Sequence, residues 1–190
     1  MDRSFLPDKP GKKTMIPTVF VNPKSYVIIE WDITKKEGFH ADLLPDCCSY
    51  EIIDAYYNVL SVIRRHYGRS VSFGLSISEK SKELVLRDRL YLAGDSMGIA
   101  WLSGAMCFVH DKPFPADLLA WGTICPIRNG GFAVYKTDGT DLKISAANET
   151  HKRRIAFHRD EPHGHFCGRS FFLSSDMQQT IRQLEELIDG

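Results

Sequence analysis

The absences in this chain bound it before its motifs do. It has no surplus of either charge, since 24 Lys and Arg balance 24 Asp and Glu. A neutral chain lacks an electrostatic footprint for nucleic acid or an anionic membrane, so neither partner is expected. No apolar run reaches the roughly 18 residues that a membrane span needs. Asp2, Arg3, Asp8 and Lys9 stand where a secretory leader would place its apolar stretch, and a cytoplasmic location is expected. No Cys-x-x-Cys pair occurs among the five cysteines. An odd count with adjacent Cys47 and Cys48 fits reduced thiols better than a disulfide framework. There is no internal repeat and no low-complexity tract. The 190 residues, 43% hydrophobic and 25% charged, suffice for one domain with a real core.

Residues 1–13 are polar and rich in Pro, Gly and Lys, and are expected to form a loose arm before a domain over 14–190. Thr18-Val19-Phe20-Val21 and Tyr26 to Trp31 read as strands around an Asn22-Pro23-Lys24 turn. Residues 35–48 read as a loop. Ser49 is placed as the N-cap of a helix whose apolar residues Ile52, Ile53, Tyr56, Leu60, Ile63 and Tyr67 recur at helical spacing up to Gly68. Val71 to Ile77 alternates like a strand, and the charged stretch Glu79 to Arg89 is expected to be an exposed loop. Leu90 to Ala93 reads as a short strand. Met97 to Val109 is apolar almost all round, the mark of a helix covered on every side. Leu118 to Trp121 and Ile124 to Ile127 are apolar segments. Asn129-Gly130-Gly131 is a turn signal before a returning strand, Phe132 to Tyr135. Thr140 is placed as the cap of a helix running to about His151. Ile155 to Phe157 reads as a strand, Arg159 to Arg169 as a polar surface loop, and Phe171 to Leu173 as a strand. A Ser175-Asp176-Met177-Gln178 capping box then opens a last amphipathic helix. Strands and helices mixed in this order predict an α/β or α+β domain.

The most informative stretch is Gly94-Asp95-Ser96-Met97-Gly98. An apolar approach, a tight turn carrying serine and a buried helix together expose a hydroxyl, and small neighbours admit a substrate carbonyl. A second helix start, Thr140-Asp141-Leu142-Lys143, offers a lysine. Read with Ile99-Ala100, the first stretch resembles the Gly-Pro-Ser-Ala-Gly nucleophile motif of Lon-type proteases. Lys112-Pro113-Phe114-Pro115-Ala116-Asp117-Leu118 is similar to that family's Arg-Pro-Val-x-x-Asp-Leu segment. Gly139 to Ala147 resembles its Gly-Gly-x-Lys-x-Lys-x-x-Ala-Ala stretch, with Lys143 at the catalytic second lysine. The likeness covers roughly residues 49–190. It implies an α+β sandwich, the Lon-like fold shared with the second domain of ribosomal protein S5. It also implies a Ser-Lys peptidase acting on peptides or unfolded proteins, a ring-forming homo-oligomer, and a separate ATPase chain as motor. No cofactor and no metal are implied.

A serine attacks only when a base takes its proton, and a lysine serves only as the neutral amine. Position in the first turn of a helix and apolar neighbours Leu142, Ile144 and Ala147 both favour that form. The resemblance makes Ser96 the nucleophile and Lys143 its base. Backbone N–H groups around Gly94, Asp95 and Met97, at a helix start, would form the oxyanion hole. Trp121, where the family commonly has a threonine, and Thr123 belong to the expected surroundings of the lysine. Trp121 and Asp95 depart from the family pattern, and they favour an alternative: a non-catalytic Lon-like scaffold. Gly-x-Ser-x-Gly also matches the nucleophile elbow of α/β hydrolases. That second alternative, an esterase, needs Asp138 or Asp141 with His158 or His163. His158, His163, His165 and Cys167 are crowded, but their spacing fits no standard zinc pattern. Trp31, Trp101 and Trp121 are expected in the core.

Overall fold

The structure is a computed structural model; it describes residues 14–40, 47–162 and 164–189. The arm predicted over 1–13 and the residue His163 lie outside the described residues. The fold is α+β, with five helices and three sheets among the described residues.

Two long strands, β1 (Met15–Asn22) and β2 (Ser25–Thr34), pair antiparallel around the predicted turn. Asn22 Oδ1 accepts from the backbone N–H of Lys24 and Ser25, which closes that turn. The sheet continues from β2 to β4 (Gly74–Ile77) and then to β3 (Gly38–His40), a short strand inside the segment expected to be loop. Alternation along β1 and β2 is two-sided. Ile16, Phe20, Ile29, Trp31 and Ile33 face the main core. Val19, with Val21, Tyr26 and Ile28 packed beside it, faces a second, smaller cluster.

Helix α1 (Tyr50–Tyr67) runs the predicted length. Helix α2 (Glu79–Arg87) replaces the expected exposed loop. Ser78 Oγ accepts from Ser81 N, a helix cap. Buried Ser81 and Val85 give the helix a narrow inward face that a charged sequence hides. Residues 90–93 form no strand; Leu92 makes one isolated bridge with Cys48. Helix α3 (Gly98–Val109) is buried over ten of its residues, as its all-round apolar sequence requires. Strands β5 (Leu118–Ala120), β8 (Arg154–His158) and β9 (Arg169–Leu173) form a parallel sheet, and β6 (Thr123–Pro126) pairs with β7 (Phe132–Tyr135) as a hairpin.

Helix α4 (Thr140–Glu149) begins after Gly139, which takes a left-handed φ of 72°. Thr140 is therefore no cap; its hydroxyl points elsewhere, as shown below. The last helix, α5 (Met177–Asp189), starts where predicted. Its capping acceptor is Asp176 Oδ1, bonded to Gln179 N at 2.8 Å, and not Ser175. All three tryptophans are buried.

Candidate active site

Three segments converge on the site: the turn before α3, the link between β5 and β6, and the start of α4. The turn is held by backbone. Ser96 O accepts from Gly122 N at 2.8 Å, and Gly122 O accepts from Ile99 N at 3.1 Å. Gly98 suits this close junction, because a Cβ there would lie 3.0 Å from Gly122 O and 3.2 Å from Ile124 N, tighter than most Cβ contacts. Gly94 N donates to Ser49 Oγ at 3.3 Å, which ties the turn to the start of α1. Gly98 N is taken by Asp95 O. Among the described residues, the N–H groups of Asp95, Ser96 and Met97 find no acceptor. Ser96 is half-buried. Thr123 Oγ1 donates to Asp95 Oδ1 at 2.8 Å, which fixes the side chain next to the serine.

The lysine side is held by buried side chains. Lys143 is 1% exposed. Its backbone N–H closes the first turn of α4 on Gly139 O, and its Nζ donates to Thr137 Oγ1 at 2.6 Å. Burial pushes its amine down to about 8, against the upward pull of Glu161, Asp138 and Asp95, in that order. Asp141, on the same helix, is exposed. Among the described residues Lys143 and Ser96 make no hydrogen bond to each other. Asp95 joins the two sides: it is bonded to Thr123, precedes the serine, and acts electrostatically on the lysine.

Glu161 was missed in the sequence, where it stands in an apparently polar surface loop. It is 2% exposed. Its Oε2 accepts from Trp121 Nε1 at 2.7 Å and from Thr140 Oγ1 at 2.5 Å. Its Oε1 accepts from Thr137 N at 3.0 Å and Thr137 Oγ1 at 3.3 Å. Trp121, placed by the sequence in the surroundings of the lysine, is bonded to this carboxylate, and its ring stacks on Phe157 with centroids 5.1 Å apart. Thr123, placed there by the sequence as well, donates to Asp95.

Beside the turn, between α1 and β6, opens a groove of about 410 Å³ lined by Glu51, Asp54, Tyr57, Asn58, Asp95 and Cys125, among others. Of the two histidines offered for the hydrolase alternative, His163 lies outside the described residues and His158 is buried. Its Nδ1 accepts from Asp160 N, and its Nε2 lies 2.8 Å from Ser175 Oγ. The parallel strands β5, β8 and β9 form a three-stranded sheet, short of the doubly wound sheet that the nucleophile elbow crowns. Among the described residues no three His, Cys, Asp or Glu side chains converge as metal ligands would. Comparison with protein-family models and with curated proteins yields no match for this chain.

Proposed function

We propose that this chain is a Lon-like peptidase domain that cleaves peptide bonds through an acyl-enzyme on Ser96, with Lys143 as its base. The observation that carries the reading is the buried amine of Lys143, pushed down to about 8 and coupled to the turn that bears Ser96. About one such amine in ten is neutral at pH 7, enough to supply a base. The neutral Nζ takes the Ser96 proton while Oγ attacks the scissile carbonyl. The oxyanion accepts from the N–H groups of Ser96 and Met97, which point positive charge from the start of α3. The ammonium of Lys143 then returns its proton to the leaving amine. Water repeats the sequence to release the acyl group. A peptide lying in the groove between α1 and β6 would pass Asp95 and reach the serine. Folded substrates require unfolding by a separate ATPase chain; unstructured ones do not.

The test is cleavage of an unfolded protein such as casein. Ser96→Ala and Lys143→Arg are each expected to lower the rate at least about 10³-fold, and the two losses should not add, because the residues act as a unit. Arginine stays protonated and accepts nothing. The wild-type rate should rise with pH through about 8, as the lysine loses its proton. Full activity in Lys143→Arg would overturn the assignment.

One observation favours a second reading, a non-catalytic scaffold: the bond of the lysine goes to Thr137 and not to Ser96. On that reading the wild-type protein is inert to every unfolded substrate, with or without a motor protein.

A further inference from the structure

Four hydrogen bonds surround Glu161, two from N–H groups and two from threonine hydroxyls. Trp121 Nε1–H, Thr140 Oγ1–H, Thr137 N–H and Thr137 Oγ1–H all point at its two oxygens. An N–H that can only donate reaches each oxygen, from Trp121 and from Thr137, and two hydroxyls complete the set, which is the donor set that a carboxylate takes. Such a group, 2% exposed, would be costly to bury unless its charge were answered nearby.

The hydroxyl of Thr137 has a single proton. It accepts from Lys143 Nζ at 2.6 Å, so that proton is left to point at Glu161 Oε1, 3.3 Å away. The hydrogen bonds therefore run in one direction, from the lysine through the threonine to the carboxylate. Three segments meet in this chain: α4 supplies Lys143, the β7–α4 loop supplies Thr137, and the β8–β9 loop supplies Glu161.

We propose that Glu161, acting through Thr137, is the positioning residue of this site: it orients the Lys143 amine and stabilises the ammonium that forms when the amine takes a proton. The catalytic part of this role rests on the peptidase reading above. In that reaction the Ser96 O–H bond breaks and an Nζ–H bond forms on Lys143. No proton passes to Glu161, whose charge instead answers the new cation. The buried aspartate of a Ser-His-Asp triad does the same for its imidazolium. Two further carboxylates act on the lysine, Asp138 from the loop that carries Thr137 and Asp95 from the turn before α3. Among the described residues neither one is wired to the amine through a hydrogen-bonded side chain; Asp95 Oδ1 accepts from Thr123.

The experiment is a titration of Lys143 itself by NMR of its ¹³Cε, assigned by its loss in Lys143→Arg. The readout needs no peptidase activity. In Glu161→Gln the midpoint is expected to fall by about one pH unit or more, since a nearby anion has been removed. Thr137→Val keeps the carboxylate and breaks the link; the midpoint should fall there too, and Thr137→Ser should restore it. Thr137 is only half-buried, so its variants keep a readout if Glu161→Gln fails to fold. In casein cleavage at a pH where the lysine is fully neutral, Thr137→Val should lose about 10²-fold through misplacement of the base, and Thr137→Ser should recover most of it. A midpoint unchanged from wild type in folded Glu161→Gln, or in Thr137→Val, would overturn the proposal. A midpoint that falls as expected in a protein that cleaves nothing would uphold the link from Glu161 to Lys143 and sink the peptidase reading alone.

Discussion

The two sides of the site are built by different means. The serine side is a backbone construction. Main-chain bonds between Ser96, Gly122 and Ile99 hold the turn, and small residues let the segments touch. The lysine side is a side-chain construction. Lys143, Thr137 and Thr140, close in sequence, meet Trp121 and Glu161, which stand 40 residues apart from each other. The contrast fits the tasks that the proposed mechanism assigns to each side. A nucleophile needs an open approach and spare N–H groups, which a glycine-flanked turn at a helix start provides. A lysine that must lose its proton near neutral pH needs to leave water, and a buried cation then needs partners.

This difference sets the order of expected effects. The largest lies on the lysine side and follows from proton linkage. Folded Lys143 titrates near 8, and the unfolded chain near the ordinary 10.5. Between these values the unfolded state binds more protons, so stability rises with pH from this group. Its destabilising contribution is complete below pH 8 and gone above 10.5. Relative to Lys143→Met, the wild type should therefore gain about 3 kcal/mol across that window. Chemical denaturation of both proteins at several pH values measures it. The tyrosines and cysteines titrate in both proteins and cancel in the difference. A flat difference would show that the amine keeps ordinary basicity, and the claimed asymmetry between the two sides would collapse.

A smaller effect is expected on the serine side. Gly98→Val drives a branched side chain toward Gly122 O and the backbone of Ile124. Those atoms belong to the strand link and yield little, so a loss of about 1–3 kcal/mol is expected. The Lys143 midpoint should stay where it is, because the lysine shell is not touched. A shifted midpoint in this variant would mean that the two sides are one mechanical unit.

The same contrast explains what the sequence shows and hides. The turn from Gly94 to Gly98 is local, so its residue types can be read directly. Strands β1 and β2 are legible from their β-branched and aromatic runs, and α3 from apolar residues on every face. Lys143 is found only by its place in a longer pattern. Glu161 carries no such signal. It sits between Asp160 and Pro162 in a stretch of ordinary loop composition, and only the fold brings Trp121, Thr137 and Thr140 around it. Helix α2 is hidden for a related reason: its buried face is a small serine and one valine amid lysines and glutamates. The Ser78 cap was the one local clue.

The central claim is that Ser96 is a nucleophile made reactive by Lys143. It is tested most directly by acylation with a β-lactone probe, followed by mass spectrometry of the intact and digested protein. The probe needs neither a motor nor an unfolded substrate. The account predicts one adduct, on Ser96, formed faster as pH rises through about 8 and lost in Lys143→Arg. An adduct on another residue, or labelling of Ser96 at the same rate in Lys143→Arg, would contradict it.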